Sequence, residues 1–364
     1  MNSTNTVAPT TGFTIPTNSP VLVTGATGYV AGWIVKRLVE AGVTVHAAVR
    51  NRKDSAKIAH LKAMADVGPG KVQFFAADLL QPGSYAKAMA GCAVVFHTAS
   101  PFTTAVKDPQ RELIDPALLG TRNVLEQASK TPSVTRVVLT SSCAAIYGDA
   151  ADCADAPGGV LTEDVWNTTS SLAHQPYSYS KTLAEQEAWR LAKLQSQWKL
   201  VVVNPSLVVG PGTNPHATSE SFNIVRQLGD GTMKVGAPRA GFGVVDVRDL
   251  AQAHLAAAFM PGAEGRHIVS GHDTDLLAVG QSLLPRFGDR FPLPRRAVPK
   301  WLVWLAAPMS GITRRFAARN VGHVWRADNS KSRKALGMVY RPLQESMEDM
   351  FGQMVDAGIV TSKA

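Results

Sequence analysis

Short apolar runs alternate with stretches of helical periodicity between residues 21 and 204. Six runs have the valine-rich composition of buried parallel strands: Val21–Thr24, Val43–Val49, Val72–Ala76, Val94–Thr98, Val137–Ser141 and Leu200–Asn204. Helical stretches lie between and after them, at Trp33–Ala41, Ala56–Met64, Tyr85–Ala90, Leu118–Ser129 and Thr182–Gln197. This alternation predicts an α/β fold, a doubly wound parallel sheet with right-handed crossovers.

The pattern loosens after Asn204, where proline and glycine become frequent and helices mix with short strands. We therefore predict a sheet domain at residues 20–204 and a smaller C-terminal lobe at residues 205–364. Part of the segment 244–273 is expected to return to the main sheet, because Val244–Asp249 has the composition of a strand. Residues 1–19 are rich in threonine, serine and asparagine, which favours a flexible leader over a secretory signal.

Composition excludes several classes of protein. The three cysteines form no CxxC pair and no histidines cluster at zinc spacing, so we expect reduced thiols, no metal site and a cytoplasmic location. The formal net charge is +9, but the basic residues are scattered through much of the chain. That distribution does not favour nucleic acid as a partner, and a positive field equally suits a small molecule rich in phosphate.

The segment at residues 281–319 is rich in proline and arginine and carries no motif. Its most apolar part, Trp301–Met309, is too short to span a bilayer. We interpret the segment as a set of helices in the smaller lobe. Contact with a membrane surface is the weaker alternative, so a membrane partner is not expected.

A glycine-rich turn with the sequence TGATGYVAG follows the first predicted strand, and a helix is expected from about Trp33. Gly25 permits a tight turn, and Gly28 lets the backbone approach a pyrophosphate closely. The N–H groups at the start of the helix can then donate to the phosphates. Ala31 stands where a third glycine is usual, with Gly32 beside it. The turn predicts a Rossmann-type site for a dinucleotide.

The end of the second strand selects the nucleotide. Arg50 stands where an NAD-binding protein places a carboxylate for the ribose hydroxyls, and Arg52 and Lys53 follow it. A guanidinium can hold a 2′-phosphate through two hydrogen bonds, and Lys57 can add a second charge. We therefore predict NADPH or NADP+ as the cofactor and an NADP-binding Rossmann domain over residues 20–204.

Two further strand ends are expected to contact the cofactor. Asp78 and Leu79 follow the third strand and are placed for the edge of the adenine. The fourth strand ends at His97, and Thr98 and Ala99 come next, where backbone groups can meet the nicotinamide side. We expect a structural role for His97.

A tyrosine, a lysine and a serine can supply the chemistry of carbonyl reduction. Tyr177 and Lys181 are four residues apart, just before the helical stretch from Thr182, so both side chains should share one face. Hydride transfer to a carbonyl leaves an alkoxide that needs a proton, and a nearby ammonium can lower the pKa of a phenol for that task. Ser142 follows the fifth strand and is expected to polarise the carbonyl oxygen in the cleft, with a cap of the next segment as the alternative. Tyr179 has no lysine four residues later.

The chain resembles the extended short-chain dehydrogenases/reductases, in particular their dihydroflavonol-4-reductase-like branch, which includes microbial NADPH-dependent aldehyde and ketone reductases. The matching stretches are VLVTGATGYVAGW, AAVRNRKD, CAVVFHTASPF, RVVLTSSCA, LTEDVW, YSYSKTLAEQEAW, NPSLVVGPG, VVDVRDLAQAH and GRHIVSG. The similarity runs from about Val21 to Asp273 and returns at Asn329–Met350.

The resemblance implies catalytic roles for Ser142, Tyr177 and Lys181, and makes residues 205–364 mainly a substrate-binding lobe. It also implies contacts with the cofactor, and the residues so implied are Gly25, Thr27, Gly28, Tyr29, Val30, Arg50, Lys57, Asp78, Leu79, Thr98, Thr140, Pro205, Ser206, Leu207, Val208 and Ser221. It allows a homodimer.

We expect an NADPH-dependent reductase of an aldehyde or ketone, with an apolar, aromatic or diketone-like small-molecule substrate. The sequence around Tyr177 lacks the Trp-Tyr-Cys pattern of cinnamoyl-CoA reductases, which argues against a CoA thioester. A 3β-hydroxysteroid-dehydrogenase-type enzyme and a nucleotide-sugar epimerase or dehydratase are the alternative enzymes, although Arg50 disfavours a tightly held NAD. The alternative of another class is a non-catalytic NADPH-binding regulator.

Overall fold

The computed structural model describes residues 12–100, 106–214 and 219–361. The strands of the main sheet are β1 Val21–Thr24, β2 Thr44–Val49, β3 Lys71–Ala76, β4 Val94–His97, β5 Arg136–Thr140, β6 Lys199–Pro205 and β10 Gly265–Val269. They lie in the order β10-β6-β5-β4-β1-β2-β3, and every neighbouring pair is parallel. The predicted Rossmann-type fold is confirmed. The strand order reverses beside β1, at the edge where such sheets bind their ligands.

Helices cover both faces of this sheet, and further helices belong to the smaller lobe. In chain order the helices are α1 Tyr29–Glu40, α2 Ser55–Val67, α3 Ala86–Met89, α4 Asp115–Ser129, α5 Pro176–Ala192, α6 Glu220–Gly229, α7 Val247–Phe259, α8 Leu276–Gln281, α9 Leu284–Phe287, α10 Lys300–Ala306, α11 Arg314–Asn320, α12 Ser330–Ala335 and α13 Leu343–Asp356. One apolar core joins the sheet to α1 and α7, and a second joins it to α3, α4 and α5. Because the central strands are buried on both faces, their sequences are continuously apolar rather than alternating.

The smaller lobe has its own sheet and core. Strands β7 Leu207–Val209, β9 Gly241–Asp246 and β11 His272–Asp275 form a three-stranded sheet, and β8 Ala237–Pro238 pairs with β12 Ala297–Val298. Four phenylalanines from α6, α9, α13 and the loop after α9 pack in the core of this lobe, at positions 222, 287, 291 and 351.

The expectation that Val244–Asp249 joins the main sheet is wrong. Residues 244–246 lie in β9, which pairs with β7 and β11, and Val247 already begins α7. The strand that returns to the main sheet is β10, within the expected segment 244–273, and it pairs with β6. Since α7 and β10 both come from beyond residue 204, the division of the chain at that point stays a prediction.

Two predicted helix starts are also wrong. The helix expected from Trp33 starts at Tyr29, directly after Gly28. The helix expected from Thr182 starts at Pro176, so Tyr177 and Lys181 lie within α5 rather than before it.

Residues 1–11 of the predicted leader lie outside the described residues. The part of the leader that is described is attached to the domain, because Phe13 and Ile15 pack against the main core. The ring of Phe13 stacks on that of Phe259 in α7, with centroids 6.4 Å apart. Within the described ranges, no helix has the length and apolar character needed to cross a bilayer.

Candidate active site

A cavity of about 600 Å³ opens at the carboxyl ends of β1, β4, β5 and β6. Many of the residues predicted from the sequence line it together: Gly25, Gly28, Tyr29, Val30, Thr98, Thr140, Tyr177, Lys181, Pro205, Ser206, Leu207, Val208 and Ser221. Its size is typical of sites for cofactors and small substrates. The cavity therefore unites the glycine-rich turn with the predicted catalytic tyrosine and lysine.

The turn after β1 has the geometry that brings a backbone close to a ligand. Gly25 has a φ of +61°, and the N–H of Gly28 donates to the Gly25 carbonyl at 2.8 Å. A Cβ added at Gly25 would lie 3.0 Å from Cα of Ala99, so a side chain would collide with the end of β4. Thr27 lies inside this turn and is half-buried. Gly28 is the N-cap of α1 and has no side chain to occupy the first N–H groups of the helix.

The start of α1 is fastened to the loop that follows β7. The Tyr29 hydroxyl donates to the Gly210 carbonyl at 2.6 Å, and the Trp33 indole donates to the Pro211 carbonyl at 2.7 Å. A Cβ on Gly32 would lie 2.3 Å from the Thr213 hydroxyl. A side chain at position 32 would therefore displace the Thr213 side chain in this loop, which the sequence pattern did not indicate.

The basic residues after β2 do not line the cavity. Arg50, Arg52, Lys53 and Lys57 are all exposed. The Lys57 ammonium lies 3.3 Å from Asp54, whose carboxylate also accepts the Lys57 N–H at the start of α2. Because Asp54 is partly neutralised in this way, the group presents a net positive charge to solvent.

Asp78 and Leu79 occupy the loop after β3. The Asp78 carboxylate accepts the N–H of Leu80 at 2.8 Å and orders that loop. Leu79 lines a second, smaller pocket beside the first, together with Ala99 and Lys181. The structure thus brings Leu79 and Ala99 close to the cavity but not into its lining.

Lys181 is buried in α5 and faces the cavity. Its ammonium donates to the Ser100 hydroxyl at 2.9 Å and lies 5.7 Å from the centroid of the Tyr177 ring. Burial lowers the pKa of Lys181 to about 8, and the nearby Glu185 carboxylate opposes that shift. The predicted pairing of Tyr177 and Lys181 on one helical face is confirmed.

Tyr177 borders the open cavity and is 38% exposed. The packed protein around it raises the pKa of its phenol, and the nearby Ser142 side chain lowers the pKa and opposes this effect. The expected lowering of this pKa by Lys181 is therefore not observed, because desolvation dominates.

Ser142 has the capping role that was expected as the alternative. Its hydroxyl accepts the Ala144 N–H at 3.1 Å and caps a short 3-10 turn, and its side chain lies close to the Tyr177 phenol. Ser142 is not part of the cavity lining, whereas its neighbour Ser141 is. The expectation that Ser142 polarises a carbonyl oxygen in the cleft stays a prediction.

A buried ionic network centred on Glu185 lies next to the pair formed by Tyr177 and Lys181. The sequence did not predict this network. Glu185, one turn after Lys181, accepts from the Arg266 guanidinium at 2.6 Å, from the Ser141 hydroxyl at 2.5 Å and from the Asn204 amide at 2.7 Å. Asn204 also donates to the Ser142 carbonyl at 3.1 Å. The network fixes α5 relative to β5, β6 and β10, the strands that carry the site.

His97 has the structural role expected for it. Its Nδ1 lies 3.0 Å from the Thr24 hydroxyl, and that hydroxyl accepts the N–H groups of Thr98 and Ala99 at 3.1 and 3.0 Å. Burial and the Lys181 charge lower the pKa of His97 to about 3, so the imidazole is neutral at physiological pH. The arrangement holds the ends of β1 and β4 together below the glycine-rich turn.

Thr140 is held in a comparable way at the end of β5. Its hydroxyl lies 2.7 Å from Nε2 of His254, whose Nδ1 lies 2.8 Å from the Leu250 carbonyl. Since a carbonyl only accepts, Nδ1 carries the proton, and Nε2 then accepts from the Thr140 hydroxyl. Burial lowers the pKa of His254 to about 4, which keeps this tautomer neutral.

Several lining residues were missed by the sequence analysis, and they are Ala31, Ser100, Ser141, Ser219 and Glu220. The hydroxyls of Ser206 and Ser219 are buried with no hydrogen-bond partner in the part of the chain that the structure describes. A strand-end serine such as Ser100 could have been found from its position, three residues after His97. Ser219 and Glu220, at the start of α6, carry no such signal.

Comparison with known proteins places this site in a family. The profile of the NAD dependent epimerase/dehydratase family matches residues 21–271. The cinnamoyl-CoA reductase CAD2 of Medicago truncatula is 40% identical over 272 residues, which are 73% of this chain and 81% of that protein. Tetraketide alpha-pyrone reductase 1 of Arabidopsis thaliana is 33% identical over 345 residues, or 94% of this chain and 97% of that protein.

Solved structures of two reductases are also similar to this chain. Gre2 from Candida albicans in complex with NADPH is 28% identical, with a TM-score of 0.75 over 94% of this chain and 99% of that one. The yeast methylglyoxal/isovaleraldehyde reductase Gre2 complexed with NADPH is 27% identical, with a TM-score of 0.75 over 93% of this chain and 99% of that one.

Fold and site together define an oxidoreductase built on a Rossmann-type dinucleotide-binding sheet. The chain belongs to the NAD dependent epimerase/dehydratase family, the extended short-chain dehydrogenases/reductases.

Proposed function

We propose that this protein is an NADPH-dependent reductase that converts an aldehyde or ketone to an alcohol. The observation that carries the proposal is the convergence in one cavity of the Gly25–Gly28 turn with Tyr177 and Lys181, with the Ser142 side chain close to the Tyr177 phenol. The cinnamoyl-CoA and tetraketide alpha-pyrone reductases among its relatives, and the methylglyoxal/isovaleraldehyde reductase among its structural neighbours, support the same class of activity.

The residues present fit this cofactor. A Cβ at Gly25 or Gly28 would fall 3.0–3.1 Å from neighbouring backbone atoms, so a side chain at either position would be crowded against the protein's own backbone. Two glycines leave this turn open for a pyrophosphate to approach its backbone. The uncapped start of α1 offers N–H donors to the same phosphates. Arg50 and Lys57 supply cations for a 2′-phosphate at the end of β2. The unpartnered hydroxyls of Ser206 and Ser219 offer hydrogen bonds at the other end of the cavity, where the nicotinamide amide would lie.

When bound, the cofactor supplies the hydride that attacks the carbonyl carbon. Tyr177 donates its phenolic proton to the oxygen that becomes the alcohol. Ser142, whose side chain lies close to Tyr177, is placed to orient the phenol and to stabilise the phenolate that remains. Lys181 holds a positive charge beside the phenol and can donate to a ribose hydroxyl, while Glu185 favours the charged form of Lys181. Thr140 is held by His254 and serves to position the floor of the site.

The substrate is proposed to be apolar or aromatic. The wall of the cavity nearest the end of β6 contains Pro205, Leu207 and Val208, and Tyr29 closes it from the side of α1. The lining contains one cation, Lys181, and one carboxylate, Glu220, among the described residues. This wall suits a small hydrophobic carbonyl compound better than a densely charged one.

The test is oxidation of NADPH, followed at its absorbance, with a panel of aldehydes, diketones, ketosteroids and UDP-sugars, and with NADH in parallel. The proposal predicts NADPH consumption with at least one aldehyde or ketone and a lower kcat/KM with NADH. Interconversion of UDP-sugars without net consumption of the cofactor would contradict it, and so would a preference for NADH.

A further inference from the structure

The helix α10 exposes its apolar face to solvent. None of the seven residues of its sequence KWLVWLA is buried, and Trp301 and Leu305 are 63% and 52% exposed. At 100° per residue, positions 301, 302, 304 and 305 span an arc of about 160° on one side of the helix. Helices in soluble proteins bury such an arc, so α10 is inverted with respect to the usual pattern.

The apolar surface continues beyond the helix. Met309, in the 3-10 turn that follows α10, is 93% exposed. Monomeric soluble proteins seldom leave contiguous apolar patches uncovered, and larger ones mark contacts with proteins or membranes. This surface therefore requires an occupant.

Basic residues flank this apolar surface on both sides along the chain. Residues 290–327 contain eight arginines and lysines and no aspartate or glutamate. The exposed members of this group that flank α10 are Arg295, Arg296, Lys300, Arg314 and Arg315. The Arg314 guanidinium lies over the Trp304 ring, 4.4 Å from its centroid, so an aromatic ring and a cation share one contact point.

The carboxylates nearest to α11 do not neutralise this rim. Asp149 and Asp152 are both held by Arg319, at 2.9 and 2.6 Å, and Asp149 is fully buried. Arg319 of α11 is thus engaged in ion pairs within the protein, while Arg314 and Arg315 at the start of the helix are exposed.

We propose that this surface docks on an anionic lipid bilayer. We name it the Trp301 surface, and it comprises Arg295, Arg296, Lys300, Trp301, Leu302, Trp304, Leu305, Met309, Arg314 and Arg315. The apolar face of α10 inserts at the boundary between headgroups and acyl chains, where tryptophan is favoured, and the cations contact lipid phosphates. Since α10 has only seven residues, it lies in the plane of the interface and does not cross it.

Charge favours this occupant over a second copy of the chain. A two-fold contact places the same surface on itself, so the five flanking cations would face five like charges without a compensating carboxylate. An anionic bilayer offers apolar depth and negative charge together, which matches both parts of the surface.

The experiment is flotation of the purified full-length protein with vesicles of phosphatidylcholine alone and of phosphatidylcholine mixed with phosphatidylserine. We expect binding to the mixed vesicles, weakened at high salt, and little binding to the neutral ones.

Trp301→Ser combined with Leu305→Ser should reduce partitioning at least about tenfold. Arg314→Ser combined with Arg315→Ser should reduce it by roughly thirtyfold, because each charge contributes between about fivefold and sixfold. The control, Val339→Ser, removes an 81% exposed side chain elsewhere and should leave partitioning unchanged.

Reductase activity in vesicle-free solution separates this proposal from the proposed function, since no residue of the Trp301 surface lines the active-site cavity. Unchanged activity of both double variants, with lost flotation, supports lipid docking. Equal binding to neutral vesicles, or no binding to either kind, would overturn it. A dimer in light scattering that Trp301→Ser dissociates would assign the surface to a second copy. Capture of an acidic protein without vesicle binding would assign it to that class of partner, and a changed KM without vesicles would assign it to the substrate cleft.

Discussion

Arg266 on β10 donates its Nε–H to the Glu185 carboxylate on α5 at 2.6 Å, and both side chains are buried. The guanidinium also stacks on Trp166 at 3.9 Å and donates to the carbonyls of Glu163 and Val165. The pair therefore joins the last strand of the sheet to the helix that carries Tyr177 and Lys181. Loss of this ion pair would displace Tyr177 and Lys181, the two predicted catalytic groups on α5.

The first prediction concerns the contribution of the Arg266–Glu185 ion pair to the stability of the protein. Glu185→Gln should lower the free energy of unfolding by about 3–5 kcal/mol, because it leaves the Arg266 charge buried without its counter-ion. Urea denaturation measures this change. Glu40→Gln, which removes the exposed pair between Lys36 and Glu40, is the control and should cost no more than about 1 kcal/mol. An equal loss of unfolding free energy in the two variants would show that the buried pair stabilises the protein no more than the exposed pair does.

A second prediction follows from the lowered pKa of Lys181. Its pKa is about 8 in the folded protein against 10.5 ordinarily, so the unfolded chain binds this proton more tightly. Below pH 8 the charged ammonium weakens the folded state, and this effect disappears as the pH rises towards 10.5. The difference in free energy of unfolding, native protein minus Lys181→Met, should therefore increase over that range by up to about 3 kcal/mol. A difference that stays flat between those pH values would disprove the burial effect.

A third prediction concerns the choice of nucleotide. Arg50→Ser should raise the KM for NADPH by about tenfold to a hundredfold, because it removes a charge-assisted hydrogen bond to the 2′-phosphate. The KM for NADH should change little. Lys71→Ser, at the exposed amino end of β3, is the matched control and should affect neither constant. Equal effects of Arg50→Ser on the two nucleotides would remove Arg50 from the site.

A fourth prediction tests the glycine-rich turn. Gly25→Ala combines a φ of +61° with a close contact to Ala99, whereas Gly91→Ala has a φ of +75° and nothing within 4 Å. Both should lose about 1–2 kcal/mol of stability from the left-handed backbone. Only Gly25→Ala should also weaken NADPH binding, measured by titration of the purified protein. Similar cofactor affinities in the two variants would contradict the assigned role of the turn.

The sheet could be predicted from the sequence because its strands are buried on both faces. Continuous valine-rich runs have few alternative structures, and β1 was predicted with its observed bounds, Val21–Thr24. The starts of the helices are harder to predict from the sequence. Gly28 caps α1 without any side-chain signal, whereas Pro176 at the first position of α5 is a recognisable signal for the start of a helix.

Other parts of the site depend on contacts between distant residues. Glu185 has the spacing of an ordinary solvent-exposed helix residue, and its partner Arg266 lies 81 positions later. Only the fold shows that they meet. The glycine-rich turn and the Tyr177–Lys181 pair can be recognised in the sequence because both are local patterns. The exposure of α10 could not be predicted, since apolar helices are normally buried.

The most direct test of the proposed chemistry is single-turnover kinetics of Tyr177→Phe with bound NADPH and a reducible carbonyl substrate. The account predicts a rate lower by about a hundredfold or more, with NADPH affinity unchanged, because only the proton donor is lost. Tyr179→Phe, two residues along the same helix, should retain the full rate. A near-normal rate in Tyr177→Phe would contradict the assignment of the proton donor and the mechanism built on it.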